Sequence, residues 1–458
     1  MYLITIKIPE CGGRVQTIDE SGYLSYSRGE LISFSCISKE EKIMKSILVS
    51  AFALLEDGNY QGFVDSISPL QLHSDQVQQS LYHALLQSAN GDPDSMNDWL
   101  FRLPPDYPND LGWLAKVTYQ SEDRFVWMVG RVDPETKHIR SFIENNWHKT
   151  LVNPLLDCPK KPPYLLYLNT TLQSQWQQQL LPSKEEKVGD FSIFQVDYNG
   201  ENVRDDIDQL MAMNNDFLIS QVFHTFDMMK QICDAEALDC FDKQVLSNAS
   251  FLSKLHTELH NYGHFMGSFP YTKPDKDCDE YEAVEEFKAC CMAIEAMRTM
   301  CDDTDLVSAF ALLVVCTRIF GYGLRAYLIE DKTSQLVREI SVAVFFFETL
   351  KHAGVLTLDS RLSLDIPKIS DAISNKVQEI DTVERIAKKK ELKTLLTMQS
   401  SSTLNHIQIG NCLLNYHMFM VYTCKHHNPS NCWGVFFLTN VCFYSMLVTS
   451  TVCFCCIC

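Results

Sequence analysis

The stretch Leu255-His256-Thr257-Glu258-Leu259-His260-Asn261-Tyr262-Gly263-His264-Phe265-Met266-Gly267 decides how this chain is read. It holds three of the chain's 13 histidines, each four residues from the next. Residues i and i+4 share one face of a helix, so a pair of such histidines can hold a single metal ion. A borderline ion such as Zn²⁺ accepts neutral imidazole, wants a third protein ligand, and in a catalytic site keeps one position for water.

A run rich in carboxylates follows: Glu280-Tyr281-Glu282-Ala283-Val284-Glu285-Glu286-Phe287-Lys288-Ala289. Glu282 and Glu286 are i, i+4 neighbours, and Glu285 lies beside them. A returning helix that carries glutamate is what a His/His/Glu site needs, and Gly267 to Asp279, with Pro270 and Pro274, suits the connecting loop. The same residues admit a plainer reading, in which a histidine stripe packs on an acidic helix through ordinary ion pairs and no metal is involved.

The two segments resemble the zinc site of dipeptidyl peptidase III and its shorter relatives. That group carries a His-Glu-x-x-(x)-His helix with a glycine just after it, and a second helix reading Glu-Glu-x-(Lys/Arg)-Ala. Here His260 and His264, followed by Gly267, match the first motif, and Glu285-Glu286-Phe287-Lys288-Ala289 matches the second. The resemblance implies His260, His264 and Glu286 as metal ligands, Glu285 as a partner behind them, and zinc as the cofactor; His256 is an alternative extra ligand. The family's catalytic glutamate follows the first histidine directly, and here that position is Asn261. An amide cannot take a proton from water at neutral pH, and losing a general base costs about 10²–10⁴-fold in rate. Glu258 does not replace it, because two residues back along a helix is about 200° round the axis. In the register His256/His260 the base position is Thr257, which is no base either. The expectation is therefore a divalent-metal, zinc-binding protein of metallopeptidase-like descent with impaired hydrolysis, or a non-enzymatic helical scaffold without metal. If it is active, its substrate is a peptide or another small polar carbonyl compound.

Composition bounds these readings. The chain has 458 residues, 46% hydrophobic and 21% charged, which excludes disorder as its main state. Its formal charge of −19, from 39 Lys+Arg against 58 Asp+Glu, argues against a nucleic-acid partner. No phosphate-binding glycine loop is present: Gly321-Tyr322-Gly323 lacks the third glycine. The first residues have no basic start and no long apolar core, so a cytoplasmic location is expected.

The chain divides, in this reading, into a mixed α/β part over 1–160, a linker over 161–190 opened by Cys158-Pro159-Lys160-Lys161-Pro162-Pro163, and a helical metal-binding part over 191–399. The fold class is mainly helical α+β. Alternating apolar residues suggest strands in 2–8 and 15–35, at 125–129 and at 191–196. Helical spacing marks 42–55, 76–88, 204–233, 248–264, 280–300, 305–319, 334–353 and 374–397. Cys290-Cys291 read as small buried residues, and Phe345-Phe346-Phe347 as core. Arg318 and Arg325 read as partners of helix carboxylates or of an anionic substrate end.

Residues 400–458 form an atypical tail. They hold eight of the 18 cysteines, no Asp or Glu, and a single lysine, Lys425. The last stretch, 435–458, is long and apolar enough for a tail anchor, which would bring the chain to a membrane, although Thr439, Asn440 and Ser445 weaken its hydropathy. A spurious terminal exon and a Cys-rich metal tail are the other readings.

Overall fold

A computed structural model describes residues 39–73, 75–119, 122–156, 164–173, 192–194, 209–267, 279–328 and 334–387. The strands expected in 2–8 and 15–35 and the tail over 400–458 lie outside the described residues.

Four helices open the described chain: α1 (Lys39–Glu56), α2 (Tyr60–Gln71), α3 (Gln76–Ala89) and α4 (Pro93–Phe101). Asn59 and Asp75 start two of them by accepting hydrogen bonds from the backbone N–H of Gly62 and Val77. Two long strands follow, β1 (Leu111–Tyr119) and β2 (Glu122–Val132), then α5 (Glu135–Thr150), β3 (Tyr164–Gln173), β4 (Ser192–Phe194) and β5 (Gln209–Asn214). They make one five-stranded sheet in the order β1-β2-β3-β5-β4, antiparallel throughout except for the parallel pair β3–β5.

The rest is helical: α6 (Asn215–Ile232), the short α7 (Ala235–Cys240), α8 (Ala249–Gly263), α9 (Asp279–Met300), α10 (Thr304–Cys316), α11 (Arg325–Leu328), α12 (Ser334–His352) and α13 (Ile369–Ala387), with a two-stranded ribbon, β6 (Leu356–Leu358) and β7 (Leu362–Leu364), before α13. Mainly helical α+β is thus the fold class. Asp303 begins α10, accepting from the N–H groups of Asp305 and Leu306. A wide-turned π-helical segment, Thr317–Leu324, joins α10 to α11. The run Thr304–Tyr327 is long and apolar enough to cross a membrane, but 83% of its most apolar window is buried inside the protein. It is a core element.

The sheet separates two apolar cores. One is built from α1–α4 and strand residues that include Trp113, Trp127, Leu166 and Leu168. The other gathers α5 to α13 around Leu255, Leu259, Tyr262, Phe310 and Phe346. Successive residues of β3 point to opposite faces, so Leu166 and Leu168 serve the first core while Leu165 and Tyr167 turn toward the helices that bear the histidines.

Two expectations need correction. The stretch 161–190 is not a linker throughout: Tyr164–Gln173 is β3, the middle strand of the sheet, and its pairing with β2 crosses residue 160. The prolines that suggest a linker directly precede the apolar run Tyr164-Leu165-Leu166-Tyr167-Leu168, whose burial on both faces makes it a strand. Within the helix expected over 204–233, Gln209–Asn214 is β5 and the chain turns helical at Asn215, because pairing with β3 and β4 outweighs the local helical spacing of Leu210 and Met213.

Candidate metal centre

The site is set by two helices that meet at a glycine. Gly263, at the end of α8, faces the backbone of Ala289 in α9: a Cβ there would stand 2.2 Å from the Ala289 carbonyl oxygen. This close approach sets His260 and His264 against Glu285 and Glu286. α8 is tied from its other face to the sheet. Glu258, buried, accepts from the Leu165 N–H at 3.1 Å, the Tyr167 hydroxyl at 3.0 Å and the Tyr262 hydroxyl at 3.1 Å. Burial pushes its carboxyl up to about 7. Glu258 thus points away from the histidines, as the helical angle requires, and its task is anchorage. One turn earlier the buried Lys254 ion-pairs with Asp133 at 3.0 Å and Glu135 at 2.6 Å.

On the inward face, His260 Nε2 lies 3.3 Å from His264 Nε2 and 3.3 Å from Glu286 Oε2. His264 Nε2 lies 4.0 Å from Glu286 Oε1. One ligand atom from each of His260, His264 and Glu286 falls within 4.8 Å of the others. Ligands about 2.0–2.2 Å from a tetrahedral centre stand about 3.3–3.6 Å apart. His260 Nε2 meets that spacing with both His264 Nε2 and Glu286 Oε2, while the 4.0 Å from His264 Nε2 is to the other carboxylate oxygen, Oε1, so a small turn of the Glu286 carboxylate would complete a donor set of zinc-like chemistry. Burial pushes the His260 imidazole down to about 4, despite the hydrogen bond and charge of Glu286. Burial alone would raise Glu286, but His260, Arg318 and His264 outweigh it and hold that carboxyl well below its usual range. Neutral imidazole and ionised carboxylate are the states in which these groups ligate metals.

Glu285, buried, places Oε1 3.7 Å from His264 Nδ1. That separation is longer than a hydrogen bond; a carboxylate that closes on a histidine from behind fixes which ring nitrogen faces a metal. Asn261 follows His260 on α8 and is buried. His256 does not join the His260/His264/Glu286 group; it clusters with His260 and Cys290 instead.

Two participants named in the sequence were not placed at the site by it. Arg318, from the π-helical segment, is buried and donates from Nη2 to Glu286 Oε2 at 3.0 Å and from Nη1 to Glu339 Oε2 at 3.1 Å. Its Nη2 also stands 3.4 Å from His260 Nε2. Burial works against its charge, yet Cys290, Glu339 and Glu286 keep the guanidinium firmly protonated. The reading of Arg318 as a partner of helix carboxylates therefore fits its contacts, though nothing in its neighbourhood along the chain points to Glu286. Cys290 is the second: its Sγ is 3.3 Å from His260 Nδ1 and accepts from Arg318 Nε at 3.0 Å. The position four residues after Glu286 was the available signal, since it faces the same way. Arg325 meets Gln221, with Nη1 3.4 Å from Oε1.

Fold and site together define a mainly helical α+β protein with a partly buried His/His/Glu cluster between two crossed helices. No family model matches the chain, and no curated protein matches it in sequence. Among solved structures its fold is similar to that of DPP III from Caldithrix abyssi, with a TM-score of 0.53 and 13% sequence identity over 75% of this chain and 66% of that one. Dipeptidyl-peptidase III from Corallococcus sp. strain EGB aligns with a TM-score of 0.46 and 11% identity, over 78% of this chain and 67% of that one. The chain spans a little under two thirds of the Caldithrix protein's length, and the likeness to it is one of fold.

Proposed function

We propose that this chain is a zinc-binding protein of metallopeptidase-like descent, with His260, His264 and Glu286 as ligands and Glu285 orienting His264. The observation that carries this reading is the spacing of 3.3 Å from His260 Nε2 to both His264 Nε2 and Glu286 Oε2. A bound zinc ion would supply Lewis acidity, polarising a carbonyl oxygen and acidifying water. What this chain's own residues add to hydrolysis is incomplete. Asn261 occupies the position after the first ligand and cannot accept the proton that a general base takes from water. Glu258 is committed to the sheet. The chain is accordingly a metal-binding protein with weak or no peptidase activity, and its location is proposed to be cytoplasmic.

A second reading, a metal-free helical scaffold, is favoured by one contact: Arg318 already neutralises Glu286 and lies against His260. Zinc titration against a chromophoric chelator separates the two. The metal reading expects a tight equivalent that is weakened at least tenfold in both His260→Ala and Glu286→Ala, whatever weaker uptake remains at other donors. The scaffold reading expects no specific uptake by any of the three proteins.

A further inference from the structure

His260 presents both ring nitrogens to groups that can ligate. Its Nε2 faces His264 and Glu286. Its Nδ1 lies 3.3 Å from Cys290 Sγ, on the opposite side of the ring. His256 stands one helical turn earlier, with its ring centroid 5.9 Å from that of His260. One ligand atom from each of His256, His260 and Cys290 lies within 4.8 Å of the other two. Cys290 is fully buried, and the Nε2 atom of His256 is buried without a hydrogen-bond partner. The His260/His264/Glu286 cluster uses neither residue.

Two imidazoles and a thiol are a different donor set from two imidazoles and a carboxylate. Sulfur binds at about 2.3 Å and nitrogen at about 2.0–2.1 Å, so around one tetrahedral centre the two stand about 3.5–3.6 Å apart. The 3.3 Å between Cys290 Sγ and His260 Nδ1 is within a few tenths of an ångström of that value. Thiolate donors select soft and borderline cations, whereas a carboxylate suits harder ones. The Arg318 Nε–H donates to the same sulfur at 3.0 Å.

We propose that His256, His260 and Cys290 form a second, softer metal position for a thiophilic divalent cation, back to back with the first across the His260 ring. Ligation replaces the Cys290 S–H bond with a sulfur–metal bond and releases the proton to buffer; where both positions are filled, His260 also gives up its ring N–H proton to buffer and bridges as imidazolate. The position shares His260 with the proposed zinc site but does not require His264 or Glu286, so the two readings fail separately.

The test uses Co²⁺ on the full chain, because a cobalt–thiolate bond has its own charge-transfer absorption. The His264→Ala variant disables the first site and is expected to bind one Co²⁺ with the thiolate band. Adding Cys290→Ser removes the band and weakens binding at least tenfold, and His256→Ala does the same. Because His264 is itself buried, the band is also read in the unmodified chain, where it grows as cobalt is added and is lost in Cys290→Ser alone. Absence of the band from both the unmodified chain and His264→Ala, or its persistence in Cys290→Ser, overturns the proposal. Cobalt binding that survives Cys290→Ser but requires Glu286 reports the first site alone and leaves its assignment standing.

Discussion

Gly263 and Ala289 meet where the two site helices cross, so closely that a Cβ on Gly263 would stand 2.2 Å from the Ala289 carbonyl oxygen. Neither backbone can yield without moving the histidines away from the glutamates. The Gly263→Val substitution should therefore destabilise the protein by about 1–3 kcal/mol through overpacking. It should also weaken zinc binding, although Gly263 ligates nothing. Chemical denaturation and zinc titration of the same variant check both effects; unchanged stability would mean that the helices do not meet as described.

Asn261→Glu places a carboxylate at the position where a general base is wanted. If Asn261 is what limits hydrolysis, peptide cleavage should rise by about 10²–10⁴-fold over the natural chain. Release of new amino termini from a defined peptide mixture, with and without added zinc, measures it. No gain in the zinc-loaded variant would show that more than the base has been lost.

Glu258 receives three donors inside the protein, and removing it strands them. A buried donor left without a partner costs about 1–3 kcal/mol. Glu258→Ala should therefore lower stability by about 3 kcal/mol or more, a loss readable in urea denaturation. Zinc binding by the fraction that remains folded should survive, since Glu258 faces the sheet. Mild destabilisation with lost metal would instead place Glu258 in the site.

The acid limit is set in part by Glu135. Burial raises its carboxyl, but the hydrogen bond and charge of Lys254 outweigh this and hold it below its ordinary value of 4.5. A carboxyl depressed in the folded state adds stability above its unfolded pKa and loses it as pH falls through the folded one. Glu135→Gln should thus be less stable than the natural chain at pH 6, with the gap closing below about pH 4.5. Thermal melts of both proteins across that range test this; a gap independent of pH would contradict it.

Much of the helical half was legible because its apolar residues recur at helical spacing and its breaks carry Asp or Gly. The helix at 248–264 is found as Ala249–Gly263, and the one at 280–300 as Asp279–Met300. β3 was hidden because a strand buried on both faces shows a continuous apolar run with no alternation to read, and prolines stand directly before it. β5 was hidden because strand pairing is non-local. At the site, His260, His264 and Glu286 announce themselves by spacing. Arg318 does not, since it reaches Glu286 across 32 residues of chain from a π-helical segment. Cys290 was masked by chemistry: a buried cysteine within a helix reads as a small apolar residue until its neighbours are known.

The central claim is that His260, His264 and Glu286 hold one metal ion. Anomalous diffraction at the zinc absorption edge, from crystals of the full chain grown with one equivalent of zinc, tests it most directly. One strong peak is expected about 2.0–2.2 Å from His260 Nε2, His264 Nε2 and a Glu286 oxygen, with Arg318 displaced from His260. A map without a peak there, with Arg318 still bonded to Glu286 and resting against His260, would contradict it.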